Sequence, residues 1–301
     1  MKKLLYILLF VPLALFGQEN YSLSFDGVDD EVLFTQSNDL LIHNDISILL
    51  DIKIQSISGY QTILAHSNYG DGGDGQENSI YTIEINNNTL QYIHEYGNGS
   101  NVILTIEDSL LINHWYRFAM IRNSSESRID FFINDSLVSS QYYNPSPEGG
   151  DTGVLQFGRG HGETGAWYHG FIDNIQIWSS ALSQSDVNAY KTCPPSGNED
   201  GLVGYWDFNE GAGNIVYDIS GNENHGTIYG ATYIDDVPEI NCLGCKNPDA
   251  INYDENAIEE DEQSCIYSQD YVHGLWNEVD DGAIEYEYLQ EEYNALNTNS
   301  T

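Results

Sequence analysis

Basic residues are scarce in this chain: nine Lys and Arg stand against 47 Asp and Glu, a formal charge of −38. Such a chain repels DNA, RNA and anionic membrane surfaces, so nucleic acid is excluded as a partner and cations become the natural ones. Most of the acids need no account beyond a solvated, soluble surface. After residue 17 no apolar run is long enough to cross a bilayer, so no membrane insertion is expected. The GxSxG, HExxH and P-loop patterns are all missing, which removes the common hydrolase, metalloprotease and nucleotide chemistries. Helical periodicity is absent before residue 183. A βαβ fold needs helices between its strands, so it too is excluded.

Cysteine is limited to four residues, Cys193, Cys242, Cys245 and Cys265, which allow three pairings. The first residues, MKKLLYILLFVPLALFGQ, carry two lysines, a short apolar core and a small Gly17. That is the pattern of a secretory signal peptide over 1–17. The product is therefore expected to be secreted, extracellular or at the cell surface, where disulfides persist. The favoured pairs are Cys245–Cys265, which closes a local acidic loop worth roughly 3 kcal/mol of closure entropy, and Cys193–Cys242. A zinc half-site or redox pair at Cys242-Leu-Gly-Cys245 is the competing reading, but no second CxxC is present.

What fills the chain is alternation. "ISILLDIKI" puts Ile46, Ile48, Leu50, Ile52 and Ile54 on one face and Ser47, Asp51 and Lys53 on the other. "SIYTIEI", "TLQYIHEY", "NVILTIE", "HWYRFAMIRN", "RIDFFIN" and "GFIDNIQIW" behave similarly, with Asn-, Gly- and Ser-rich turns between them. Many short strands at this spacing predict an all-β, two-sheet antiparallel jelly-roll sandwich. The period changes once, at "SQSDVNAYK", where Ser183 and Asp186 predict an N-capped short helix on the flank. The strand pattern then returns through "GLVGYWDFNE" and a Gly/Asn-rich stretch to residue 241. From Cys242 the chain is too acidic and too short to build a core. We divide it into a signal peptide (1–17), a sandwich domain (18–241), an acidic disulfide-bonded motif (242–268) and an acidic tail with helical spacing (269–301).

Three pieces, in this order and spacing, carry a resemblance: "YSLSFDGVDDEVLF", "HWYRFAMIRNSSESRIDFFINDSLVSS" and "VLQFGRG…GFIDNIQIWSSALSQSDV". They resemble the laminin-G-like branch of the concanavalin A-like lectin/glucanase superfamily. "GLVGYWDFNEGAGNIVYDISGNENHGTIYGATY" is similar to a further element of the same secreted bacterial modules. The resemblance covers about residues 20–235 and implies a two-sheet jelly roll. We expect a secreted, non-enzymatic binding or adhesion module whose partner is an extracellular glycan or a cell-surface protein. "GCKNPDAINYDENAIEEDEQSC" resembles thrombospondin type-three calcium repeats, with Asn247 and Gln263 where Asp and Gly are usual.

Some members of that superfamily are glycoside hydrolases, so catalysis is the alternative function. The chemistry needs paired carboxylates. No Glu-x-Asp-x-Glu run lies within the strands, and no catalytic residues are assigned. Calcium, a cation that takes several hard oxygens at flexible geometry, is the expected cofactor. Period two places Asp173 on a face with Phe171, Ile175 and Ile177, where a carboxylate must be paired or metal-bound. The resemblance implies that Asp26 of the "FDG" turn and Asp173 of the "IDN" strand hold one Ca²⁺, with the Gly27 carbonyl and Asp29 or Asp30. Ordinary turn chemistry at Asp26-Gly27 and a bulge at Asp173 are the alternatives. A second calcium set is Asn247, Asp249, Asp254, Asn256 and Asp261 in the cysteine ring. "DISGNENHG" is read as a turn, because it lacks the central Gly and closing Glu of an EF-hand. For ligand recognition the candidates are Asp71 and Asp74 in "YGDGGDGQEN", and Arg159, His161, Trp167 and Tyr168 in "GRGHGETGAWYHG". The second loop offers both an aromatic face and directional polar groups, as sugar binding requires.

Overall fold

Alternating strands bury one face each, and here two sheets bury those faces against each other. The computed structural model describes residues 20–67, 79–95, 101–106, 110–134, 136–143, 153–160 and 166–239, and the backbone of 243–244 and 259–260. The first sheet contains β1 (Ser22–Asp26), β3 (Ile46–Ile54), β8 (Trp115–Asn123), β9 (Arg128–Ile133), β10 (Ser136–Tyr142), β12 (His169–Trp178), β13 (Leu202–Trp206) and β16 (Thr232–Ile234). Its order is β10-β9-β8-β3-β12-β1-β16, and β13 also pairs with β12. The second contains β2 (Glu31–Phe34), β4 (Tyr60–Ser67), β5 (Ser79–Asn86), β6 (Thr89–Glu95), β7 (Asn101–Ile106), β11 (Val154–Phe157), β14 (Ile215–Val216) and β15 (Gly226–Tyr229). Its order is β14-β15-β2-β11-β4-β5-β6-β7. Pairing within both sheets is antiparallel, so the expected two-sheet sandwich is the observed fold. In the acidic motif β17 (Leu243–Gly244) pairs in parallel with β18 (Glu259–Glu260).

The interior holds the predicted isoleucine face of β3, with Phe118, Met120, Ile172, Ile175 and Trp206 beside it and Phe34, Ile83, Tyr92 and Phe157 from the second sheet. Burying each such side chain contributes about 1.5–3 kcal/mol. A second, smaller core lies on the outer face of the first sheet. There Leu49, Ala119, Ile121 and Trp178 are covered by helix α1 (Gln184–Thr192) through Val187 and Tyr190. The helix begins where the sequence predicts. Ser183 Oγ accepts from the Asp186 N–H, and the Asp186 carboxylate accepts from the Ser183 N–H. That reciprocal box satisfies two donors left unbonded at a helix start.

Strand β12 changes partner midway, and this positions the site residues. On one edge β3 follows it throughout; on the other, β1 pairs with its first half and β13 with its second. At the change the register slips between Asp173 and Gln176, and Asn174 adopts φ 48°. This left-handed conformation is one that Asn tolerates. The extra residue reverses which side chains face inward.

Candidate functional site

That bulge corrects the expected surroundings of Asp173. Ile175 and Ile177 face the inter-sheet core, but Asp173 stands opposite Asp51 on the outer face, beneath α1. There Arg117 Nε donates to Asp51 Oδ1 at 2.7 Å, Nη2 to Oδ2 at 2.5 Å, and Nη1 to the Tyr190 carbonyl at 2.7 Å. Asn174 Nδ2 donates to Asp51 Oδ2 at 3.2 Å, and Tyr205 Oη donates to Asn174 Oδ1 at 3.3 Å. Asp173 accepts from the Asn174 N–H at 2.7 Å. Burial first, then the neighbouring Asp51 charge, holds its carboxyl well above the usual range. The carboxylate is thus lodged in a hydrogen-bonded network, the alternative to metal binding that burial permits.

Asp173 also does not meet Asp26. In the β1–β12 register Asp26 stands opposite His169, four residues from Asp173 along β12 and so about 13 Å away. The expected ligand pair is therefore separated. Asp26 instead joins Asp29 and Asp30: one carboxylate oxygen from each of the three lies within 4.8 Å of the other two. This is the tight turn between β1 and β2. Asp26 Oδ1 accepts from the Val28 N–H, Asp30 Oδ2 accepts from the Asp26 N–H, and Gly27 sits at φ +80°. Asp30 is buried; desolvation raises its pKa, and the Asp26 and Asp29 charges add to that rise against the backbone hydrogen bond from Asp26. Its Oδ1 occupies the space where a Cβ on Gly230 would fall, 2.0 Å away. Three hard carboxylates with oxygens left over from the turn fit Ca²⁺ by donor type.

Beside this turn the second sheet presents its outer face. Glu31, the first residue of β2, alternates with the inward Val32, so it points outward, as does Tyr229 opposite it on β15. Arg159 Nη1 donates to Glu31 Oε2 at 3.3 Å. The same guanidinium lies 4.8 Å from the Trp167 ring centroid. Gly158 sets up the approach: it sits at φ +81°, and a Cβ there would fall only 2.4 Å from the Phe25 ring, so no side chain fits. Gln156, on the same outer face and opposite Leu33, is fully buried with neither amide atom hydrogen-bonded among the described residues.

Two expected ligand residues are thus brought together, Arg159 and Trp167, and a third is not. Tyr168 is buried in the core, its hydroxyl 3.3 Å from the carbonyls of Lys53 and Phe171, and burial pushes its pKa above the usual tyrosine range. Adjacent residues of an extended segment point to opposite sides, so Trp167 and Tyr168 cannot both face solvent. Glu31 and Tyr229 escaped the sequence reading. Their signal was the alternation with Val32 and Ile228. Asp71, Asp74, His161, Asn247, Asp249, Asp254, Asn256 and Asp261 lie outside the described residues. So do Cys242, Cys245 and Cys265, while Cys193 is disulfide-bonded. In "DISGNENHG", Asp218 accepts from the N–H groups of Tyr205, Ser220 and Asn224, which closes a turn.

Residues 26–188 match the profile of a family described as the concanavalin A-like lectin/glucanases superfamily. The chain belongs to that superfamily. No curated protein sequence matches it. Among solved structures, it is similar to a Bacteroides ovatus protein assigned a carbohydrate-binding role, at TM-score 0.55 and 16% identity, over 73% of this chain and 61% of that one. The chain thus spans less than two thirds of that protein's length. A SAP-like pentraxin from Limulus polyphemus follows at TM-score 0.47 and 16% identity, over 60% of this chain and 86% of that one. The carbohydrate-binding module of the Ruminococcus gnavus IT-sialidase, solved with α2,3-sialyllactose, gives TM-score 0.47 and 14% identity, over 56% and 95%. At these identities what is shared is the fold.

Proposed function

We propose that this member of the superfamily is a secreted, non-enzymatic carbohydrate-binding module acting in adhesion. Its ligand face is the outer surface of the second sheet at Trp167, Arg159, Glu31 and Tyr229. The observation that carries this is the Arg159 guanidinium held between Glu31 and the Trp167 ring. It fixes an aromatic surface and directional donors and acceptors at one place, which is what sugar recognition requires. The role assigned to the Bacteroides ovatus protein agrees with it. Export rests on residues 1–17.

Catalysis fits less well. Glu31 on β2 and the buried Glu84 on β5 are three strand spacings apart, about 14 Å. Glycosidase carboxyls stand no more than about 9.5 Å apart. Glu84 is in addition hydrogen-bonded to the Tyr60 hydroxyl. Calcium belongs to the reading as a structural ion on Asp26, Asp29 and Asp30, holding the β1–β2 turn from which Glu31 projects. The acidic motif at 242–268 is a second calcium candidate.

A glycan array run in calcium and again in EDTA tests both parts. The expected result is retention of a glycan class that Trp167→Ala loses, together with a calcium-dependent rise in melting temperature that Asp26→Asn/Asp29→Asn abolishes. No retention under either condition would leave a structural spacer as the function. Release of reducing ends from the retained glycan would make the chain an enzyme.

A further inference from the structure

The stretch matched to the superfamily ends at residue 188, yet the second sheet continues past it. Strands β14 and β15 come from later in the chain and extend that sheet beside β2. They widen the same outer face that carries Glu31. Val216 and Ile228 fill the core, so the residues alternating with them turn outward. Tyr217 and Tyr229 are each 51% exposed. Both rings therefore stand on the outer face of the extension, on the side that carries Glu31.

Tyr217 does not stand alone. Its ring meets that of His225 edge-on, with centroids 5.1 Å apart and planes at 74°. His225 Nδ1 accepts from the Asp218 N–H at 3.0 Å. The ring proton is therefore on Nε2, which becomes a donor of fixed direction. An aromatic face with an adjacent fixed N–H repeats in kind what Trp167 and Arg159 provide. His225 and Tyr229 lie four residues apart on one strand line, about 13 Å. That distance exceeds one sugar ring.

Charge decides the ligand's class. The guanidinium on this face is already matched by Glu31, and the chain as a whole carries −38. An anionic polymer would be repelled along its length. Resting on the carbohydrate-binding reading above, we infer that Tyr217 and His225 form a second sugar subsite, so that the module binds an internal stretch of a linear, uncharged polysaccharide.

Affinity electrophoresis of the whole chain tests this, in native gels containing mixed-linkage β-glucan, glucomannan or galactomannan, with polygalacturonate as the anionic control. Calorimetry with the disaccharide and hexasaccharide of the retained polymer completes it. The expected result is retardation by a neutral polymer and a hexasaccharide bound more tightly than the disaccharide. Tyr217→Ala should weaken polymer and hexasaccharide binding about tenfold, as loss of one aromatic contact does, a larger loss than it causes in disaccharide binding, and leave the melting temperature unchanged. Trp167→Ala should weaken both. If wild type binds a polymer and Tyr217→Ala and His225→Ala bind it equally well, the second subsite is refuted and the module reading stands. Retention by polygalacturonate alone refutes the uncharged class. If wild type binds none of these polymers and no glycan on the array, both readings fall.

Discussion

Replacing Arg117 by Met tests the account of the outer face of the first sheet. Arg117 and Asp51 stand opposite each other in the β3–β8 register, with side chains only 4% and 6% exposed. Burial works against the guanidinium's charge, but Asp51 outweighs it and the net pKa shift is upward. Removing the cation strands Asp51 beside Asp173 without a counter-charge. Breaking a buried pair from one side costs about 3–5 kcal/mol. The Tyr190 carbonyl also loses its donor at 2.7 Å, which loosens α1. For a domain of this size each kcal/mol moves the melting temperature by about 2–4 °C, so the drop should be about 6–20 °C. Thermal unfolding followed by circular dichroism at pH 7 measures it. Arg117→Met/Asp51→Leu replaces both charges by hydrocarbon and should recover about half the loss or more. A single variant within about 2 °C of wild type, or a double variant no better than the single, would show that the pair does not organise this face.

Other consequences concern pH and the helix cap. Asp173 faces Asp51 from β3, Arg117 from β8, Tyr205 from β13 and Asp207 beyond it, and its folded pKa lies above the ordinary 3.8. Its contribution is therefore complete in acid and is lost as pH climbs through the raised value; Asp173→Asn should gain stability relative to wild type as urea midpoints are taken from pH 4 upward, and a constant offset would refute the assignment. His66 behaves oppositely: burial lowers it from 6.5 to about 4. The unfolded chain takes up the proton first, so wild type should lose up to about 3 kcal/mol as pH falls from 6.5 towards 4. His66→Phe should flatten that slope, and an unchanged slope would place the acid lability elsewhere. Ser183→Ala removes the capping box and should cost about 0.5–2 kcal/mol, seen as faster amide exchange across 184–192.

The parts legible in the sequence are those where one local rule decides. β3 alternates because one face packs into the inter-sheet core, and that core takes its isoleucines as alternation predicts. The helix start was legible because Ser183 and Asp186 satisfy each other's backbone without help from elsewhere. Arg159 and Trp167 could be nominated by residue type alone. Their shared geometry could not, because it depends on Glu31, far away in the chain, meeting Arg159 beside the β2–β11 pairing. Tyr168 turns into the core by simple alternation, since its neighbour Trp167 takes the outward side.

Asp173 marks where local reasoning fails for a physical cause. Strict period two assigns it to the core, and a single left-handed residue, Asn174, moves it to the opposite face. The bulge falls where β12 leaves β1 and takes up β13 along its other edge. Asn suits the slip twice: it tolerates the left-handed backbone, and its amide bridges Asp51 and Tyr205 at the point where the ladder breaks. A carboxylate one residue earlier is then committed to that junction. The acidic turn at Asp26 is left to act locally, next to the face that carries Glu31, rather than as a clasp between distant strands.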